Sequence, residues 1–437
     1  MSRFRRTLGC SIGAVVLWSV LAPSSAAAIM VPEHKTAAIH YRPPARTQLT
    51  HLETCNADAT SALSTFINGA PDATSITLPA RACFLVNGTL TIRGKNGLTI
   101  NGNGATFKQT ALPGAPLLQL FSNTNLAINN LTLDGATTHD AAGGEINYGI
   151  TFESDDGVSL TSDTIENTGG DWVYLEPPYD TKNLPNTNIT FNQDKFLNAG
   201  YHGFTFESVG CWTTAPCNGL TIENSTMTNI QVDAMDAEVD LASTDFINGV
   251  SIDYAENYIT IENNTWTNWN GSDWFVSLQG QTPGVQEQHV TLTGNTLNDN
   301  APPLEVDGTR LDLTTPQHMN VTLTVTNNHY GPGYTVKPYR GGTSPAISLQ
   351  NIVGLTMIGN TFPWCPGVNF PACNASPPAE YEMGNSGILY GNIKSNDFYG
   401  AIDLQDPSWG TIARAYYGVH FCGNTYGAGG SQMDGVC

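Results

Sequence analysis

Apolar and polar residues alternate along most of the chain in a phrase that keeps returning: apolar, Thr, apolar, then Asn or Asp and a further apolar residue. It reads LTINGNGATF from Leu98, LAINNLTL from Leu126, VSLTSDTI from Val158, ITFNQDKF from Ile189, LTIENSTM from Leu220 and ITIENNTW from Ile259. It continues as VTLTGNTL from Val290, VTLTVTNN from Val321, LTMIGNTF from Leu355, GNIKSNDF from Gly391 and VHFCGNTY from Val419. The central apolar residues, with Leu323 as the centre of the eighth phrase, recur every 28 to 36 residues, except for 39 between Ile222 and Ile261. Helical repeats share such periods but need apolar residues at 3.6 spacing, whereas period-two alternation of β-branched and polar residues predicts strands.

A second run follows each phrase, as in GITFES from Gly149, WVYLEP from Trp172, GFTFES from Gly203, AEVD from Ala237 and FVSLQG from Phe275. Each repeat thus supplies at least two strands joined by polar bends. Stacked about 4.8 Å apart, equivalent residues form ladders and the apolar ones face inward. The predicted fold is all-β, a right-handed parallel β-helix over residues 51–437, a solenoid of about 11 coils, one per phrase.

Asn or Asp stands three residues past most centres, at Asn103, Asp163, Asp194, Asn264, Asn295, Asn360, Asn396 and Asn424, as expected of side chains that cap backbone groups at a turn. Asn224 and Asn263 also head Asn-x-Ser/Thr triplets, a glycosylation pattern that the turn ladder explains without it. Asp58–Ile67 combines an N-cap candidate with Leu63, Phe66 and Ile67, predicting a short capping helix over the open N-terminal end.

Residues 1–28 read as a signal peptide: Arg3, Arg5 and Arg6, an apolar stretch from Leu8 to Leu21, then Ala26-Ala27-Ala28. That stretch falls short of the roughly 20 apolar residues of a membrane span. Arg5-Arg6 leaves twin-arginine export open beside the general route. Residues 29–50, with Pro32, Pro43 and Pro44, read as a linker. Cleavage leaves 14 basic against 38 acidic residues, which disfavours nucleic-acid and anionic-membrane partners. The eight remaining cysteines of an exported chain predict disulfides. Sequential pairing is favoured: Cys55–Cys83, Cys211–Cys217, Cys365–Cys373 and Cys422–Cys437. A secreted monomer follows from this reading.

Aligning the second strands places Glu153, Glu176, Glu207 and Asp240 in one column and Thr151, Tyr174, Thr205 and Glu238 two residues earlier, both expected to face outward. Stacked carboxylates raise each other's pKa or recruit a cation; a solvated polar edge is the plain alternative. Two turns add chemistry. ENTGGDWVYLE puts Asp171, and AGYHGFTFES puts His202, two residues before equivalent strand positions on adjoining coils.

Gly169-Gly170-Asp171 and Tyr201-His202-Gly203 resemble the Gly-Asp-Asp and Gly-His-Gly turns of the pectin-lyase-like β-helix enzymes, and among them the polygalacturonase-type glycoside hydrolases. The resemblance implies that Asp171 is a catalytic carboxylate and His202 its supporting histidine. The chain departs from that pattern at Tyr148, where the family has an acid, at Gly170, where it has the first acid of its pair, and near Glu238-Val239-Asp240, where it has an Arg-Ile-Lys strand.

Inverting hydrolysis needs a second carboxylate about 6.5–9.5 Å away, for which Glu153, Glu176, Glu207, Asp236 and Glu238 are candidates. Trp172, Tyr174, Tyr201 and Trp212 offer faces on which sugar rings stack, and Asp236 and Asp240 complete the expected substrate-binding set. Acids where basic residues would bind uronates favour a neutral polysaccharide. The acids of VDAMDAEVD, Asp233 to Asp240, are equally compatible with calcium; no cofactor is required and no metal ligand is assigned. A calcium-dependent polysaccharide lyase needs a Lys or Arg base, and none lies between Lys195 and Arg310. A non-catalytic glycan-binding β-helix needs only the solenoid and its aromatics. The expectation is a secreted glycoside hydrolase, with the lyase and the binding protein as alternatives.

Overall fold

The structure is a computed structural model. It describes residues 49, 51–110, 114–135, 146–176, 186–206, 218–230, 235–237, 246–247, 250–251, 258–267, 276–278, 288–298, 304–307, 321–330, 347–350, 352–361, 381–383, 388–398, 402–403 and 416–426. The expected signal peptide (1–28) and nearly all of the 29–50 linker fall outside them. No helix among the described residues is long and apolar enough to cross a membrane.

The phrases form strands that pair in parallel into a sheet of 20 strands, and the second runs form a parallel sheet of 11. The chain is therefore an all-β parallel β-solenoid, with one helix among the described residues. An antiparallel pair, Phe246–Ile247 with Val250–Ser251, stands apart from both sheets. About six closed turns are described, fewer than the eleven coils expected. The phrase marks a strand on each rung, but a closed turn also needs joining segments, and many of those in the second half lie outside the described residues.

Register follows the apolar centres from Ile100 through Ile128, Leu160, Phe191, Ile222 and Ile261 to Leu292. The next centre is Val325, not Leu323, followed by Met357, Ile393 and Phe421. Alternation alone permits either choice, because a slip of two residues keeps the same face inward. The inward residues are buried, and the first half of the core is aromatic, with Phe152, Trp172, Phe191, Phe196, Phe204 and Phe206 all fully enclosed.

Centring on Val325 brings Asn328 into the corner ladder, which runs Asp163, Asp194, Ser225, Asn264, Asn295, Asn328, Asn360, Asn396, Asn424. Asn328 shows how a rung works: its Oδ1 accepts the Asn295 N–H at 2.9 Å and Nδ2–H at 3.0 Å. Its own Nδ2 donates to Leu292 O at 2.9 Å and to Asn360 Oδ1 at 3.0 Å. The residue before each rung turns left-handed, with φ of 55° at Asn263, 64° at Gly294, 55° at Asn327 and 68° at Gly359. Gly and Asn adopt that conformation at least cost, which explains the recurring Gly-Asn and Asn-Asn pairs; Ser162, Gln193 and Ser395 hold it before the Asp163, Asp194 and Asn396 rungs. Asn103, expected in the ladder, is exposed and itself left-handed at φ 57°. A second ladder at the end of the second-sheet strands links Asn123, Asp155 and Asn186.

The N-terminal end is closed by the helix Thr60–Asn68, preceded by an unexpected strand, Thr54–Asp58, paired with Cys83–Leu85. Asp58 Oδ1 accepts the Thr60 N–H at 3.0 Å, capping the helix from one residue outside it. Leu63 and Ile67 are buried against the core, and Asn68 accepts Arg93 N–H at 3.1 Å. Cys55 and Cys83 form the expected disulfide, with Cα atoms 5.0 Å apart. Cys422 is disulfide-bonded to a partner outside the described residues, and the Cys211–Cys217 and Cys365–Cys373 pairs lie outside them too.

Asn328→Ala deletes a rung that serves both neighbours and leaves buried donors and acceptors unpaired. We expect a loss on the order of 3 kcal/mol in urea unfolding. A change within the roughly 0.5 kcal/mol typical of surface substitutions would show that the ladder is not structural.

Candidate functional site

Three turns stack at the heads of consecutive second-sheet strands. Ile150 pairs with Val173, and Val173 with Phe204. Counting back two residues aligns Tyr148, Asp171 and His202 on three successive coils. The backbones pack closely here: a Cβ on Gly200 would lie 2.2 Å from Gly169 O, and one on Gly149 2.7 Å from Trp172 O. Gly170 N–H donates to Asn147 O at 3.0 Å, Gly149 N–H to Asp171 O at 2.9 Å and Gly200 N–H to Gly170 O at 3.2 Å. Thr168 Oγ1–H reaches Gly170 O at 2.9 Å. The turn that carries Asp171 is thus held from both sides.

Asp171 is 2% exposed, and its Oδ1 accepts the His202 backbone N–H at 2.9 Å. That hydrogen bond ties the two expected residues together through the His202 backbone. The His202 ring stacks on Tyr201, centroids 4.0 Å apart at 16°, and its Nδ1 lies 3.4 Å from Thr205 Oγ1. Burial pushes the imidazole pKa down to about 4, so it is neutral at physiological pH. Tyr148 and Tyr174 stack with centroids 4.6 Å apart at 19°. By sequence, Tyr148 stands out only as a departure from a motif. A positive signal exists all the same, because Asn-Tyr-Gly precedes its strand at the offset that Asp171 and His202 hold.

Downstream, Thr151, Tyr174, Thr205 and Asp236 share one register column. The expected occupant of the fourth place is Glu238. Acids at 236, 238 and 240 satisfy alternation in either register, and backbone pairing selects 236. Glu207, Trp212, Glu238 and Asp240 lie outside the described residues, and of Asp236 only the strand position is described. Thr151 is buried, with an Oγ1 that finds no hydrogen-bond partner among the described residues.

Glu153 is buried and Glu176 half-buried, so this edge is not the solvated one that outward polar residues suggest. Glu153 sits beside Asp155, whose carboxyl burial pushes up to about 7 against the pull of the Asn123 and Glu153 N–H groups. Glu176 N–H donates to Phe152 O at 2.9 Å, continuing the ladder. Asp171 and Glu176 stand five residues apart at opposite ends of the strand Val173–Leu175, and chain of that length, about 16 Å when extended, sets the two carboxyls beyond acid/base distance. The same offset applies to Glu153, one coil before.

Trp172, expected to stack on sugar, lies in the core. It is fully buried, with its ring 5.6 Å from Phe196 and 6.1 Å from Phe204. Its large apolar face is satisfied by those rings, whereas Tyr148, Tyr174 and Tyr201 keep partial exposure. Among the described residues, no three metal-ligating side chains gather.

No protein-family model matches the chain, and no curated protein does. Among solved structures, it is similar to the A-module of the Azotobacter vinelandii mannuronan C-5 epimerase AlgE6, with TM-score 0.55 and 16% identity over 87% of this chain and 92% of that one. The AlgE4 A-module of the same organism gives TM-score 0.50 and 11% identity over 86% and 93%. The Aspergillus tubingensis endo-xylogalacturonan hydrolase gives TM-score 0.48 and 13% identity over 86% and 92%. These neighbours are pectin-lyase-like β-helix enzymes, and at such identities the likeness is one of fold.

His202 should show no imidazole titration in NMR from about pH 8 down to about pH 5. Its depressed pKa contributes stability that is present above the ordinary value of 6.5 and lost as pH falls through about 4. A titration near 6.5 would mean that the ring is solvated.

Proposed function

We propose that the chain is a secreted carbohydrate-active enzyme, a glycoside hydrolase that cleaves a neutral extracellular polysaccharide with Asp171 as its acid/base group. The observation that carries this reading is the stack of Tyr148, Asp171 and His202 on three adjoining coils. A buried carboxyl positioned by a backbone N–H shares these coils with the partly exposed rings of Tyr174 and Tyr201. The fold shared with polysaccharide-active enzymes agrees with it, as does the Cys55–Cys83 disulfide with an exported chain.

The second carboxylate of an inverting pair belongs across the coils and not further along the strand: at about 4.8 Å per coil, a group two coils away stands about 9.6 Å off, at the upper end of the required range. In sequence, Asp233 stands two residues before Met235, as His202 does before Phe204; it is outside the described residues and is the first acid to substitute, ahead of Asp236. Asp236, Glu238 and Asp240 remain candidates for substrate contact or for calcium. One observation favours a second reading: the described head positions combine a single carboxyl with a tyrosine and a neutral histidine, a set suited to abstracting a proton from a uronate, as in a lyase.

Purified protein should release new reducing ends from a neutral polysaccharide without unsaturated products. Asp171→Asn should lower that rate by roughly 10²–10⁴-fold while substrate retention persists. Full activity in Asp171→Asn would sink the assignment. Unsaturated products would establish the second reading, and retention without cleavage a binding protein.

A further inference from the structure

The corner ladder is built of amides in its second half and of acids where it starts. At each amide rung, Nδ2 donates to the carbonyl of the strand centre one coil back: Asn264 to Ile222 O at 2.8 Å, Asn295 to Ile261 O at 2.8 Å and Asn360 to Val325 O at 2.7 Å. Asp194 occupies the same slot, three residues past Phe191, whose partner one coil back is Leu160. Its Oδ1 accepts the Asp163 N–H at 2.7 Å, and its own N–H donates to Ser225 Oγ at 3.0 Å. That leaves Oδ2 in the place of the amide nitrogen. This oxygen is buried without a hydrogen-bond partner among the described residues; the Asn192 N–H two residues before it pulls the carboxyl down, but less than burial pushes it up.

A carboxylate offers only acceptors, and a carboxylate oxygen set against a carbonyl oxygen is repulsive. A neutral carboxylic acid carries one donor and reproduces the amide. The surroundings supply no compensating cation. Asp163 faces Asp194 from the coil before, and Ser225, on the coil after, passes its hydroxyl proton to Glu223 O at 2.8 Å. Lys195, next in the chain, is exposed, and Glu223 stands on the outer face.

We propose that Asp194 is held as a neutral carboxylic acid whose Oδ2–H donates to the Leu160 carbonyl oxygen, so that a single proton completes the ladder and makes the stability of this part of the solenoid depend on pH. Burial first, and the Asp163 carboxyl second, push Asp194 up to about 8. Burial pushes Asp163 up to about 7. Both shifts are upward, so their contribution is fully present below about pH 4 and is lost as pH rises through about 7 to 8.

The test is thermal unfolding of the full chain and of Asp194→Asn from about pH 4 to about pH 9. The unfolding midpoint of the unsubstituted protein should fall across this window. In Asp194→Asn the fall should be shallower, with a midpoint several degrees higher at the alkaline end, because asparagine supplies the donor without a proton. A variant that fails to fold, or that melts lower at alkaline pH, overturns the proposal. Infrared spectra give a second readout. The folded protein near pH 6 should show a protonated-carboxyl C=O band that weakens in Asp194→Asn; a folded protein without that band at pH 6 also overturns it.

Discussion

Parallel pairing in register is the constraint on which the rest of this molecule depends. Because each coil lies about 4.8 Å above the last, a slot in one repeat becomes a column through many, and whatever stands there meets its own kind above and below. Inward columns must be apolar, as Ile222, Ile261 and Leu292 are. Corner columns must satisfy backbone groups with no water at hand. Asparagine suits them because one side chain carries both donor and acceptor, so each rung accepts from one neighbour and donates to another. A buried rung that could only accept would leave the next one short.

That regularity makes much of the fold legible in the amino-acid order itself. The period, the strands and the adjacency of Asp171 and His202 follow from counting along the phrase, the end-capping helix from its N-cap and apolar spacing, and the Cys55–Cys83 link from sequential pairing of the cysteines. The departures in register share one cause, since alternation does not change under a slip of two residues. Leu323 satisfies the phrase as a centre, yet it is Val325 that pairs with Leu292. A discriminating signal is present: three residues past Val325 stands Asn328, whereas three past Leu323 stands Thr326. At Glu238 and Asp236 no such marker exists, because the segment repeats acids at even spacing, and only backbone pairing decides. Trp172 misleads for another reason. Its neighbours in sequence are site residues, but the ring belongs to a cluster with Phe196 and Phe204 that is assembled from other coils.

The same two spacings decide what the site can do. Along a strand, residues on one face are about 6.6 Å apart for each two-residue step, so carboxyls five residues apart are separated by the length of several sugar rings. Across coils, equivalent residues approach within about 5 Å. A solenoid therefore builds a catalytic constellation across its coils and a binding groove along them or beside them. Tyr148, Asp171 and His202 lie across; Tyr174 and Thr205 lie three residues further along the strands. By sequence pattern every outward acid between Glu153 and Asp240 is equally available to Asp171, and the geometry removes that equality.

Charge bears on the proposed substrate. From Gln109 to Thr309 the chain has Lys182 and Lys195 as its only Lys or Arg residues, so the coils around Asp171 carry few cations with which to meet a polyanion. A uronate polymer brought to this face would lose hydration from its carboxylates without gaining partners, a cost that charge-assisted hydrogen bonds normally offset. A neutral glycan loses only hydroxyl hydration, which the tyrosine hydroxyls of the turns can replace while sugar faces stack on their partly exposed rings. The acidity that makes the chain a poor partner for anions is therefore compatible with a polysaccharide whose recognition rests on hydroxyl groups and ring faces, and it argues against one recognised by its charge.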